Sequence, residues 1–307
     1  AEYQNYSSEP LTLNFHRTDH KDGTATYLRE FLRRYMMAKR PVRTDYPSWN
    51  NVQFVADSIA WDTDPLYGWC NKNFKKDGSP YNVYSDGLKV FTTIDSRMQK
   101  YAEEAVYQHV ARYLQPAFDK ENKPKPSSPY SDKLTPQQIR YILNRSITQS
   151  ERWRTMKAAG CTPEEIKEAF RKKIEMTVFT YHGDIDTLMS PLDSIRYYKG
   201  FLRSGFMSMD PKTGAVKAYV GGLDYPHFMY DMVSLGRRQV GSTIKPFLYS
   251  LAMENGFTPC DYAPNRQRTY IVGGRPWTPR NVSHARYGQM VPLKWGLAQS
   301  NNWISAY

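Results

Sequence analysis

The chain has 307 residues, 40% hydrophobic and 14% aromatic, enough for two domains or one large one. Its net charge of +12 suits an anionic surface, but no zinc-finger, RNP or basic-zipper pattern accompanies it, so no nucleic-acid partner is expected. No apolar run approaches a membrane span and no signal peptide is visible, so any membrane anchor is expected outside this chain.

Residues 1–86 read as irregular, connecting structure. His16 and His20 stand four apart in "HRTDH", but no third ligand is near and a solvated loop is expected. "DGTATYLREFLRRYMMAKR" has apolar positions 27, 28, 31, 35 and 36, the spacing of an amphipathic helix after a glycine turn. Its interleaved basic residues read as the solvated face of that helix. Residues 41–86, rich in Pro, Asn, Asp and Gly, read as turns and short strands.

"LKVFTTID" (88–95) is β-branched and predicts a strand. "SRMQKYAEEAVYQHVARYL" predicts a helix capped by Asp95 or Ser96, with Met98, Ala102, Ala105, Val106, His109 and Val110 on one side. Residues 111–189 read as an insertion. It holds a Pro-rich loop, helical runs from Pro136 to Ala159 and from Thr162 to Glu175, and the strand "MTVFTY". "SPLDSIRYYKGFLRSG" predicts another helix. "GFMSMDPKTGAVKAYVGG" predicts a β-hairpin turning through Asp210–Gly214. From Gly241 a helix is expected, with Phe247, Leu248, Leu251 and Ala252 on its buried face. The three cysteines, Cys70, Cys161 and Cys260, are too few and too scattered for a disulfide framework or a zinc site, and no metal or other cofactor is expected.

The chemistry concentrates at "RRQVGSTIKPF". Among all serines only Ser242 has a lysine three residues on, Lys245. On a helix that spacing puts both on one face, and a desolvated lysine at a helix start can act as the base a serine nucleophile needs. Pro246 places the start here, and Gly241 leaves room for a substrate carbonyl. A capping serine beside a surface lysine has the same spacing. Ser300-Asn301-Asn302 adds a Ser-x-Asn after the helix-like "PLKWGLAQS". That is the order of serine enzymes in which a second serine relays protons and an asparagine holds a substrate amide. Ser48-Trp49-Asn50 also matches Ser-x-Asn, but on the wrong side of Ser242, and capping is the alternative role for Ser300.

"FMSMDPKTGAVKAYVGGLDY", "RRQVGSTIKPFLYSLAMENG" and "WTPRNVSHARYGQMVPLKWGLAQSNN" together closely resemble the transpeptidase domain of class A penicillin-binding proteins, in the long form of Bacteroidetes. "VFTTIDSRMQKYAEEAV" resembles the opening of that domain, and "HKDGTATYLREFLRR" the segment joining it to a glycosyltransferase. The resemblance implies an α/β (α+β) fold: an antiparallel sheet flanked by helices, incomplete in this chain. It implies a linker at 1–86 after a missing glycosyltransferase domain, and the first part of a transpeptidase domain at 87–307 with the insertion at 111–189.

The implied activity is D,D-transpeptidation. Ser242 would be the nucleophile, Lys245 its base, Ser300 and Asn302 the proton shuttle and substrate holder. Gly241, Trp277 and Asn281 would bind substrate. The implied partners are peptidoglycan stem peptides, lipid-linked precursors and β-lactams, at the periplasmic face of a bacterial inner membrane. Val240 stands where the family often has proline. The family's Lys-Thr-Gly after Ser-x-Asn is not reached before Tyr307, and Lys212-Thr213-Gly214 reads as a turn, so the chain alone is expected to be inactive. The alternatives are a D,D-carboxypeptidase or another penicillin-recognising serine enzyme, or a non-catalytic interaction fragment.

Overall fold

A computed structural model describes residues 20–307. The chain divides into two compact units, Ala1–Gly236 and Arg237–Tyr307. Among the described residues helices are the only regular elements up to Ala169, short strands enter from Ile174 on, and the strands form four separate two-stranded antiparallel sheets. The mixed class expected from the sequence is present. His16 lies outside the described residues, and the His20 ring packs against Tyr84.

In the first unit, the Thr26–Met36 helix buries Tyr27, Glu30 and Met36. Tyr27 explains the Gly221-Gly222 pair: a Cβ at Gly221 would come within 2.6 Å of its ring, so only glycine admits it. Its hydroxyl donates to the carbonyl of Phe228 at 2.7 Å. Strands β3 (Phe206–Met209) and β4 (Val216–Val220) form the predicted hairpin, with a register shift at Ser208/Met209. Asp210 accepts the N–H groups of Lys212 and Thr213, and Gly214 takes φ 72°, so Lys212-Thr213-Gly214 is a turn.

The 88–95 segment is not a strand. Asp95 donates its N–H to Lys217, but no ladder forms, and Phe91 is 93% exposed. The β-branched pattern is right; a strand also requires a continuous hydrogen-bonded partner. A glutamine side chain replaces one along β4. Gln99 donates to the carbonyl of Tyr219 at 2.8 Å and accepts its N–H at 2.7 Å, the pair of bonds a neighbouring backbone would make. This turns the Ser96–His109 helix away from the expected face. Gln99 and Val110 are buried, while Met98, Ala105 and His109 are exposed. Asp95 caps the helix as predicted.

The Asn51–Thr63 helix was not expected in the Pro- and Asn-rich tract. It buries no residue fully, so periodicity carries no signal there. The first helical run of 136–159 breaks at Ser150, which caps the Glu151–Ala158 helix after Pro136–Gln149 ends. Thr162 and Pro163 start the Pro163–Ala169 helix with a capping box. That helix stops short of Glu175, which belongs to β1 (Ile174–Val178), paired with β2 (Ile185–Met189). Ser190 caps the Pro191–Lys199 helix.

The second unit has a core of Tyr249, Ala263, Val291 and Ile304. Strand β5 (Tyr262–Pro264) pairs with β8 (Met290–Pro292), and β6 (Tyr270–Val272) with β7 (Arg275–Trp277). The Lys245–Glu254 helix buries Lys245 and Tyr249, one turn apart. Phe247, Leu248 and Leu251, expected inside, are exposed, and Ala252 is half-buried. The face that packs is the one carrying the lysine, because that face meets the Ser300–Asn302 turn.

Candidate active site

Gly241–Ile244 is a tight 3₁₀ turn that runs into the Lys245–Glu254 helix. Pro246 sits in the first helical turn, where a missing N–H costs nothing. Gly241 has φ 54° in open space, so its freedom serves the backbone. Ser242 is exposed, and its side chain borders a cavity of about 370 Å³ shared with Asn281, Trp295, Ser300 and Asn302. Among the described residues Ser242 Oγ has no hydrogen bond.

Lys245 is 5% exposed. Its Nζ donates to the carbonyl of Ser300 at 2.5 Å, to Ser300 Oγ at 3.1 Å and to Asn302 Oδ1 at 2.6 Å. An ammonium has three protons, and all three are engaged. Burial pushes the lysine below its usual pKa. The three oxygens stabilise the ammonium and oppose the drop.

The Ser300–Asn302 turn is over-determined. Ser300 takes φ 49°, a left-handed conformation uncommon for a residue with a Cβ. With it, both its carbonyl and its hydroxyl meet Lys245. Asn301, not Ser300, is the cap: its Oδ1 accepts the N–H groups of Trp303 and Ile304. Its Nδ2 donates at 2.8 Å to Asn265, which is fully buried and itself donates to the carbonyls of Ala285 and Arg286.

The 279–281 segment holds the other side. The carbonyl of Pro279 accepts from the Trp303 indole at 3.0 Å and that of Arg280 from Asn302 Nδ2 at 2.7 Å, while Asn281 Oδ1 accepts the Asn302 N–H at 2.6 Å. Asn281 Nδ2 is buried without a partner. Trp277 does not join them; it is half-exposed at the end of β7, with its ring 6.0 Å from that of Tyr270.

Of the residues expected from sequence, Lys245, Ser300, Asn302 and Asn281 are therefore in one hydrogen-bonded cluster, and Ser242 borders the same cavity. Sequence reasoning missed Asn265 and Asn301. Asn301, one residue before a helix, carried a capping signal. Asn265 carried none, because its partners lie far away in the chain. The arrangement offers an exposed hydroxyl on a cavity that Ser300 and Asn302, the partners of a desolvated amine, also line, and the Ser300 hydroxyl bonded to that amine is one through which a proton can pass.

Two family models match the chain: the penicillin-binding protein middle domain over residues 125–202, and the penicillin-binding protein transpeptidase domain over residues 204–306. Penicillin-binding protein 1A of Neisseria flavescens is 27% identical over 263 residues, covering 76% of this chain and 32% of that protein. Penicillin-binding protein 1A of Escherichia coli K12 is 28% identical over 260 residues, covering 73% and 29%. The chain thus spans about a third of the length of the curated relatives it matches. A crystal structure of penicillin-binding protein 1A from Haemophilus influenzae superposes with a TM-score of 0.46 at 19% identity, over 98% of this chain and 40% of that one. The transpeptidase-domain match encloses Ser242, Lys245, Ser300 and Asn302. The chain belongs to the penicillin-binding proteins, and its transpeptidase region is of the class A type.

Proposed function

We propose that this region cross-links peptidoglycan stem peptides as a D,D-transpeptidase within a bifunctional cell-wall synthase. Ser242 Oγ attacks the carbonyl of the penultimate D-alanine and its proton passes to Lys245. The tetrahedral adduct collapses, the bond to the terminal D-alanine breaks, and the leaving amine takes a proton through Ser300. An amine of a second stem attacks the acyl-enzyme, Ser242 leaves with a proton, and a cross-link remains. A β-lactam acylates Ser242 the same way, its ring amide being the bond that opens. Asn302 and Asn281 orient the donor peptide; the unpartnered Asn281 Nδ2 is a donor that a bound amide carbonyl would satisfy. Gly241 would keep the approach to Ser242 open, and Trp277, which does not line the cavity, would meet only a part of the substrate that extends beyond it.

The observation that most supports this reading is the buried Lys245 Nζ shared between Ser300 Oγ and Asn302 Oδ1. A lysine with only a solvated role would not be buried against the two other polar side chains of the motif. In Lys245 it must first give up a proton to become a base, which its desolvation favours.

The setting follows from the same reading. Residues 1–86 would connect to a glycosyltransferase and 87–307 open the transpeptidase domain, with 111–189 inserted in it; the middle-domain match over 125–202 takes in most of that stretch. The site works at the periplasmic face of the inner membrane, on lipid-linked precursors and nascent strands. Among the described residues no helix is long and apolar enough to cross a membrane, so the anchor would be a separate segment.

The test is to supply a pentapeptide stem donor with an amine acceptor and to measure D-alanine release and product mass. Transpeptidation gives D-alanine together with a cross-linked product. D-alanine with only the hydrolysed tetrapeptide would favour the carboxypeptidase alternative, in which water takes the acceptor's place. Neither product would leave an interaction role.

A further inference from the structure

Within the first unit, four helices enclose a cavity of about 830 Å³ that the proposed chemistry does not use. Its floor is apolar. Leu143 and Ile147 come from the Pro136–Gln149 helix, Ile166 and Phe170 from the Pro163–Ala169 helix and the residue after it, and Leu192 from the Pro191–Lys199 helix. Leu143, Ile166 and Phe170 are buried.

The rim is basic. Arg140, Lys157, Lys167, Arg171 and Arg196 line it, and no aspartate or glutamate does. Arg196 is paired with Asp193 at 3.0 Å. Lys157 sits over the Trp153 ring at 4.8 Å. Among the described residues, Arg140, Lys157, Lys167 and Arg171 make no ion pair. Cations at a solvated helix surface are ordinary, but here they converge from separate helices around one apolar concavity.

From this geometry we infer that the cavity is a docking site for an acidic, amphipathic segment of a partner protein. Its apolar side chains fill the floor and its carboxylates meet the rim, as in helix-in-groove recognition. The charge complementarity decides the class of partner. The shape decides against a bilayer: the apolar residues lie at the bottom of a concavity and cannot insert into a membrane. The spread of the cations decides against a single lipid headgroup, which could reach one or two of them, whereas carboxylates along a peptide can reach all.

The probe is a short fluorescein-labelled helical peptide of leucine and glutamate, read by anisotropy against the 307-residue chain. A peptide with lysine replacing glutamate and dodecyl phosphate serve as comparisons. The glutamate peptide is expected to bind, to weaken as salt rises, and to lose about tenfold or more in affinity in a Lys157→Glu, Arg171→Glu variant. Both residues are exposed, so the variant keeps its fold, checked by circular dichroism. Equal binding of the lysine peptide, or unchanged affinity in the variant, would overturn the inference. So would binding of dodecyl phosphate without the glutamate peptide, which would make the cavity a lipid-anion site.

Discussion

Lys245 Nζ donates to Ser300 Oγ at 3.1 Å, while the Oγ of Ser242, three residues earlier, makes no hydrogen bond among the described residues; Ser242 meets Lys245 only through its carbonyl, which accepts the Lys245 N–H. The resting lysine is held by the second serine of the motif, not by the first. If Ser242 is the nucleophile, its deprotonation draws on an amine already connected to a relay.

The first consequence concerns pH. Burial lowers the Lys245 pKa, so its neutral, basic form appears at lower pH than that of a solvated lysine. The acylation rate by a penicillin should rise with pH and level off below the ordinary lysine range. Lys245→Ala should reduce the rate by about 10²-fold or more and remove that limb. A stopped-flow pH profile that keeps rising through the lysine range would refute the assignment.

Asn281 separates holding from binding. Asn281→Ala removes the acceptor of the Asn302 N–H and should cost about 1–3 kcal/mol of stability, read by thermal unfolding. Asn281→Asp keeps that acceptor and removes the Nδ2 donor. It should stay folded yet raise the KM for the stem peptide, with kcat less affected. An unchanged KM in Asn281→Asp would leave Asn281 a purely positioning residue.

Ser300 carries a conformational cost, since its φ is 49°. Ser300→Gly should be more stable than Ser300→Ala by about 1 kcal/mol, because glycine adopts that φ without penalty. Both lose the hydroxyl, so both should transfer protons poorly. If alanine proves the more stable in denaturant titration, the left-handed turn is not what holds the carbonyl of Ser300 on Lys245.

Asn265 is fully buried and hydrogen-bonds to the 285–286 backbone and to Asn301. Asn265→Ala would leave these groups unpaired and should cost about 2–4 kcal/mol. A change in melting temperature no larger than that of an exposed control substitution would show that the network is not needed.

How far the sequence carries can be judged from these residues. Ser242 and Lys245, and Ser300 and Asn302, stand three and two residues apart, and such short spacings are what a local pattern can find. Asn265 and Gln99 do their work across long chain separations, on backbone groups that no local pattern encodes. The same limit accounts for the segment 88–95, whose composition is that of a strand but whose ladder is missing, and for Phe247 and Leu251, whose periodicity implied burial but which are exposed. Trp277 came from resemblance alone, and its place at the end of β7 depends on the hairpin at 270–277. Helix starts were the most legible elements, because Asp95, Thr162 and Ser190 each cap through their own side chain.

The central claim is that Ser242 is the acylated nucleophile. The most direct measurement is to label the full-length gene product with a fluorescent penicillin, digest it and map the adduct by mass spectrometry. The account predicts a single adduct on the peptide containing Ser242, absent in Ser242→Ala and slowed in Lys245→Ala. An adduct on another residue, or undiminished labelling of Ser242→Ala, would contradict it.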